Sequence, residues 1–213
     1  MGKDQKGMDI FMLLDRTGSM APLWVEAVSS VNAYVKELEK DGANDRITLA
    51  VFDAYNGRMQ FDVLRNAVPI KDWRDVGDDE VLPRGTTPLL DAVMRLITRA
   101  EEVGNPKTAI VVMTDGYENA SKEVTKEAAK ATLDRIQAKG WQVNFLGADF
   151  DGFSQAAGLG IKMDVAMNFA VGHANAAMSS TAERHRNYRR SAGQVAYQDT
   201  DRKNAGQDKV KKD

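Results

Sequence analysis

The sequence predicts an α/β domain: a mostly parallel central sheet with one antiparallel edge strand, and helices on both faces. Three observations carry this. Apolar runs of strand length, at 10–14, 46–54, 107–114 and 141–148, alternate with segments whose apolar residues recur every three or four positions. Strands alternating with helices imply right-handed crossovers and a parallel sheet covered on both sides. One pair of runs is instead joined by Asn56-Gly57, a strong hairpin signal, which makes 58–64 an antiparallel edge.

Composition narrows the function classes. The 213 residues suffice for one domain with a full-sized core plus some tail. A net charge of -2, with 28% charged residues, gives no global pull toward nucleic acid or a membrane surface. No apolar stretch approaches the ~20 residues of a membrane span. The first residues, MGKDQKG, are polar and lack the apolar region of a secretory signal, so the expected location is cytoplasmic. Zero cysteines exclude disulfides, thiol nucleophiles and thiolate metal sites, and two histidines leave little room for a zinc site or a Ser-His-Asp triad.

The first strand, Ile10 to Leu14, stops at Asp15, and Arg16-Thr17-Gly18-Ser19 follows at once. One carboxylate and two hydroxyls at alternate positions place three oxygens on one side of a tight turn. Such a set suits a hard cation, Mg²⁺, Mn²⁺ or Ca²⁺. The same residues also suit a helix cap, and the segment alone leaves the two readings even. Pro22 opens an amphipathic helix of about five turns, with Trp24, Val28, Val31, Val35 and Leu38 on its inner face, closed by Asp41-Gly42. Arg46–Ala54 is a second buried strand, with Asp53 near its end. Residues 69–84 read as loop with at most one short helix. Arg84-Gly85-Thr86-Thr87-Pro88 then opens a helix that buries Leu89, Val93, Leu96 and Ile97.

Lys107–Thr114 is a central strand ending in Asp115-Gly116. Ser121 is expected to cap a helix through Lys139, with Thr125, Ala129, Leu133 and Ile136 facing inward. Residues 141–148 form a strand followed by Asp149, 152–159 a short helical connection, and 164–170 a last strand. Beyond 170 the composition changes. Residues 173–190 read as a helix with a solvated basic end (Arg184, Arg186, Arg189, Arg190), and 198–213 as a disordered polar tail. The expected organisation is thus a polar leader at 1–7, a domain at 8–170, and a C-terminal helix and tail at 171–213. Met8, Met12, Met113 and Trp24 are expected in the core, and His173 and His185 on the surface.

In an open α/β sheet, ligands bind outside the carboxyl ends of the strands. Asp15, Asp53, Asp115 and Asp149 all fall there. Each alone is an ordinary loop aspartate. Four together repel one another in an empty site, and a divalent cation removes much of that repulsion.

Asp15-Arg16-Thr17-Gly18-Ser19 resembles the Asp-x-Ser/Thr-x-Ser signature of the von Willebrand factor A (VWA) domain and its metal-ion-dependent adhesion site (MIDAS). That site has two further loops, matched in order by Arg84-Gly85-Thr86-Thr87-Pro88 and by Thr114-Asp115-Gly116. The resemblance covers residues 8–170. It implies the Rossmann-like VWA fold and a binding module rather than an enzyme. It also implies that Thr17 and Ser19 bind the metal directly, and that Thr87 joins them in one conformational state. Thr87 is chosen by its spacing to the following helix, with Thr86 the alternative. Asp15 and Asp115 act directly or through waters. The implied cofactor is Mg²⁺, with Mn²⁺ or Ca²⁺ as alternatives, and the implied ligand is an Asp or Glu of a partner protein. Arg16, Asp53, Tyr117, Glu118, Asn119 and Asp149 are expected on the partner-facing rim, with Tyr117, Glu118 and Asn119 either supporting the metal ligands or selecting the partner. Stand-alone members of this kind occur in bacteria and phages, so a cytoplasmic bacterial or phage assembly is the implied setting.

Two rivals were weighed. A phosphotransferase of the haloacid-dehalogenase type also carries an aspartate after its first strand, beside Mg²⁺. Its second aspartate, two residues on, is replaced here by Thr17, whose hydroxyl cannot do the same proton work near neutral pH. The other is a structural subunit with a vestigial metal site. No Gly-x-Gly-x-x-Gly follows a strand and no phosphate-binding Gly-x-x-x-x-Gly-Lys-Ser/Thr is present.

Overall fold

The computed structural model describes residues 7–41, 44–149, 152–191 and 193–210. Six strands, β1 (Asp9–Asp15), β2 (Arg46–Tyr55), β3 (Arg58–Pro69), β4 (Thr108–Thr114), β5 (Gln142–Ala148) and β6 (Ala166–Phe169), form one sheet in the order β3-β2-β1-β4-β5-β6. Every pairing is parallel except β2–β3. The chain runs outward from β1 to β3 and then returns to β4 on the other side of β1. The strand order therefore reverses between β1 and β4, and a crevice opens there at the carboxyl edge.

Alternation along β1 shows how the strands serve two layers. Ile10, Met12 and Leu14 pack into one core with α1 (Trp24–Glu39) and α5 (Ala174–Arg190). Phe11 and Leu13 pack into the other, with α2 (Leu89–Val103) and α3 (Lys126–Ala138). All seven residues of β1 are buried, as a strand covered on both faces must be. Met8, Met12, Met113 and Trp24 lie in the core as expected. Two short helices, α4 (Gly152–Gly158) and α6 (Asp199–Asn204), complete the set, and no helix among the described residues is long and apolar enough to cross a membrane.

Five expectations need correction. The edge strand β3 extends to Pro69 rather than ending at 64. It passes an irregularity opposite Ile47–Ala50, where the Ala67 N–H donates to Thr48 Oγ1 at 3.0 Å. Helix α3 is capped by Thr125, whose hydroxyl accepts the Ala128 N–H at 3.2 Å, and not by Ser121. Ser121 instead donates to Glu118 and accepts from the Asp91 N–H.

Most of the basic end of α5 is not solvated, Arg190 excepted. Arg184 is buried, and Arg186, Arg189 and Arg190 reach Glu37, Asp41 and Asp45 around the C-terminal end of α1. His185 is fully buried, against the expected surface position. Nor are residues 198–210 a disordered tail. The Gln198 N–H donates to Asp201 at 2.7 Å to start α6, the Ala170 N–H donates to the Ala205 carbonyl at 3.0 Å, and Tyr197 and Ala205 join the α1/α5 core. The remainder of that expectation, 211–213, and the leader at 1–6 lie outside the described residues.

Candidate metal centre

Asp15 ends β1 with no solvent exposure, and both its oxygens are oriented. Oδ1 accepts the Thr17 N–H at 2.7 Å and Oδ2 accepts the Thr114 hydroxyl at 2.6 Å. The chain then tightens into a 3-10 turn at Gly18–Leu23, which aims two hydroxyls the same way: Thr17 Oγ1 and Ser19 Oγ lie 3.1 Å apart. Ser19 donates to Asp115 Oδ1 at 2.7 Å, across 96 positions of sequence. The first and third loops therefore meet at the reversal of strand order.

The second loop is wedged against them. Its Gly85 has a φ of +71°, and a Cβ there would fall 2.1 Å from the Ala54 carbonyl oxygen, so no other residue fits. The Gly85 carbonyl accepts the Gly18 N–H at 3.2 Å, the Arg84 N–H donates to Arg16 at 2.8 Å, and Thr86 pairs through its backbone with Ala54. Thr87 is buried beside the third loop: a Cβ added to Gly116 would lie 3.7 Å from both Ser19 Oγ and Thr87 Oγ1. Thr86 is exposed and lines a groove on the other side of the loop. Of the two threonines, Thr87 is the one brought to the Ser19–Asp115 cluster.

The third loop is held by residues that sequence reasoning placed elsewhere or missed. The Glu118 carboxylate accepts from the backbone N–H groups of Leu90, Ala120 and Ser121 at 2.7–2.9 Å, so it supports the loop, one of the two roles expected of it. Gln155 of α4 spans the loop, accepting the Glu118 N–H at 2.8 Å and donating to the Gly116 carbonyl at 3.1 Å. Asp91 accepts from the N–H groups of Lys122 and Val124, both at 2.9 Å. Gln155 and Asp91 carry no sequence signal, because neither belongs to a strand-end loop. Thr114 does, as the hydroxyl residue immediately before Asp115.

The expected rim also changes. Asp53 is fully buried, and it accepts from Arg16 Nε and Arg84 Nε, both at 2.9 Å. Arg16 is itself buried, so its pairing with Asp53 braces the first two loops, while Arg84 keeps 42% of its side chain exposed. Two arginines neutralise a carboxylate that burial would otherwise make costly. Asp149 follows β5, one strand beyond Asp115, with a φ of +54°. Of the expected rim residues, Tyr117 and Asn119 are exposed. Instead of four carboxylates, Asp15 and Asp115 are the two that meet at the three loops.

No arginine or lysine among the described residues pairs with either of these two. Burial pushes the Asp15 carboxyl up to about 6, against the opposing hydrogen bonds from Thr114 and Thr17 and with a smaller push from Asp115. Burial also raises Asp115. The donors at hand are two carboxylates and three hydroxyls. Among the described residues, no three His, Cys, Asp or Glu side chains gather as ligands of a metal ion, so any cation here would depend on the hydroxyls as well as the two carboxylates. An all-oxygen set with uncompensated negative charge fits a hard divalent cation.

No protein-family model and no curated protein sequence matches the chain. Solved structures do. The vWF domain of the type V pili tip protein Mfa5 from Porphyromonas gingivalis aligns with a TM-score of 0.63 at 13% identity, over 89% of this chain and 98% of that one. The VWA domain of SpRpn10 aligns at 0.56 and 12%, over 78% and 88%. Manganese-loaded TRAP protein of Plasmodium vivax aligns at 0.56 and 15%, over 82% and 72%. At these identities the likeness is one of fold. A six-stranded sheet reversing its order beside Asp15, covered by helices on both faces and superposing on these domains, is the von Willebrand factor A fold.

Proposed function

We propose that the chain is a protein-binding module that works through a divalent cation. In this reading Thr17, Ser19 and Thr87 contribute hydroxyl oxygens and Asp15 and Asp115 contribute charge. One observation carries the reading: three loops far apart in sequence bring three hydroxyls to two carboxylates that no basic side chain among the described residues neutralises. A bound cation supplies an electrophilic position that accepts a carboxylate from an Asp or Glu of the partner protein. The residues around it hold still: Thr114 and the Thr17 N–H orient Asp15, while Gly85 and Asn119 orient Thr87. The manganese in the TRAP structure supports a divalent cation here. Mg²⁺ is our first choice, since Ca²⁺ takes six to eight oxygens and this set is smaller. The setting we infer is a cytoplasmic assembly of bacterial or phage type.

A phosphotransferase reading needs a carboxylate two residues past Asp15, and Thr17 stands there with its hydroxyl on Ser19. The test is calorimetric titration with Mg²⁺ and Mn²⁺, joined to pull-downs in Mg²⁺ and in EDTA with wild type and Thr87→Ala. Uptake of either ion, with partners lost in EDTA and in the variant, is the expected result. Absence of uptake at millimolar ion, or a partner set indifferent to EDTA, overturns the reading.

A further inference from the structure

Beside the second loop, on the side away from Asp115, lies a polar groove of about 440 Å³. Thr86 and Asn119 line it, and Asn119 is hydrogen-bonded to Thr87 in both directions, so one residue of the groove wall also holds a residue of the candidate metal centre. Arg58, Arg95 and Lys122 enter it from three elements. Two carboxylates also enter, and both are already committed. Asp91 is buried and spent on the backbone N–H groups of Lys122, Glu123 and Val124, while Glu123 faces Arg95 at 3.3 Å.

Arg58 and Lys122 are left over. Both are exposed, and among the described residues no carboxylate pairs with either. The backbone of Arg58 and the ammonium of Lys122 are also positioned. Arg58 follows the tight Asn56-Gly57 turn, whose residues have φ of +51° and +71°, and Lys122 Nζ donates to the Gly57 carbonyl at 3.1 Å. Two unneutralised cations lining one cleft, one of them tethered, complement a carboxylate better than freely moving surface lysines do, because less side-chain freedom is lost on contact.

We propose that this groove is a second carboxylate subsite, and that the partner presents an acidic segment with two acidic side chains. One reaches the metal centre and the other lies between Arg58 and Lys122. The proposal rests on the reading of the metal centre above. It extends that reading from a single carboxylate to an acidic stretch whose second charge sets selectivity.

The experiment is an NMR titration of the isotope-labelled full chain, in Mg²⁺ at low salt, with a panel of short Gly-rich peptides. One peptide carries a single Asp, and the others add a second Asp at successive spacings on either side. At least one two-Asp peptide is expected to bind about fivefold tighter than the single-Asp peptide, the size of one well-placed surface ion pair. The gain should shrink at high salt. It should vanish in Arg58→Gln/Lys122→Gln, whose Mg²⁺ uptake and melting temperature stay those of wild type.

If no spacing gives a gain, or if the gain survives in the double variant, the subsite is wrong while the metal reading stands. A two-Asp peptide that needs Arg58 and Lys122 but binds equally in EDTA keeps the subsite and removes the metal reading. If no peptide binds with or without Mg²⁺, both fall.

Discussion

Asn119 holds Thr87 by a reciprocal pair of hydrogen bonds: the Thr87 N–H donates to Asn119 Oδ1 at 2.9 Å, and the Asn119 N–H donates to the Thr87 carbonyl at 3.1 Å. The second and third loops are thereby one unit, joined across 32 positions of sequence. Asn119→Ala removes the acceptor and leaves the N–H of a buried threonine unsatisfied, a loss of roughly 1–3 kcal/mol. We expect Mg²⁺ affinity to fall about tenfold in Asn119→Ala and to be kept in Asn119→Asp, which retains the acceptor. Calorimetric titration of both variants checks this. Equal affinity in Asn119→Ala and wild type would show that the bond does not position Thr87.

The Asp15 carboxyl stands near 6 instead of its usual 3.8. As pH rises from about 4 to about 6, the unfolded chain gives up this proton before the folded chain does, so the metal-free fold loses stability through that window. At neutral pH the loss is on the order of 3 kcal/mol. Asp15→Asn is therefore expected to raise the melting temperature in EDTA at neutral pH and to abolish the increment that Mg²⁺ gives wild type. In wild type that increment should grow between about pH 5 and pH 7. Thermal melts with and without Mg²⁺ read all three outcomes, and a destabilised Asp15→Asn in EDTA would contradict the assignment.

His185 behaves in the opposite sense. Its ring lies between the Tyr34 hydroxyl and Asn144 Oδ1, and Asn144 Oδ1 also accepts from Gln142 at 3.0 Å. The imidazole Nε2–H therefore donates to Asn144, and Nδ1 accepts from Tyr34. Burial, helped by Arg189, brings the imidazole down to about 3. The unfolded chain takes its proton near 6.5, so this group's contribution is complete above that pH and is lost as pH falls toward 3. In the Asp15→Asn background, stability should decline steadily on acidification below pH 6.5. His185→Phe should flatten part of that decline while lowering stability by roughly 2–4 kcal/mol, since two buried partners lose their hydrogen bonds. Denaturant titrations across pH measure both.

The arginines at the end of α5 are unequal. Arg189 pairs with the fully buried Asp45, which also accepts the Met8 N–H at 2.8 Å, whereas Arg190 keeps 70% of its side chain in water. Breaking a buried pair strands a charge and costs about 3–5 kcal/mol, while an exposed pair is worth about 1 kcal/mol at most. Arg189→Met is expected to destabilise severely and Arg190→Met by less than about 0.5 kcal/mol, as read by chemical denaturation. Similar losses in the two variants would contradict this division.

Much of this protein is decided locally, and the local part is legible in one dimension. Apolar runs and three-to-four spacing mark β1, β2, β4, β5 and the main helices, because burial on two faces dictates composition directly. Asn56-Gly57 marks the hairpin through turn chemistry alone, and the residues of all three rim loops are visible because each directly follows a strand or opens a helix. What the tertiary structure decided are choices between like residues. Asp53 and Asp15 read alike in sequence, yet only Asp53 meets two arginines, one of them 37 positions away. Thr86 and Thr87 are neighbours, and the backbone pairing with Ala54 is what turns one outward and leaves the other beside Gly116. His185 and the segment 198–210 carry the composition of a surface, and they are buried or ordered by partners on α1, β5 and β6 that no local pattern announces. The physical reason is the same in each case. Periodicity and turn propensity act over a few residues, whereas neutralising a charge or burying a polar ring depends on groups that only the finished fold brings together.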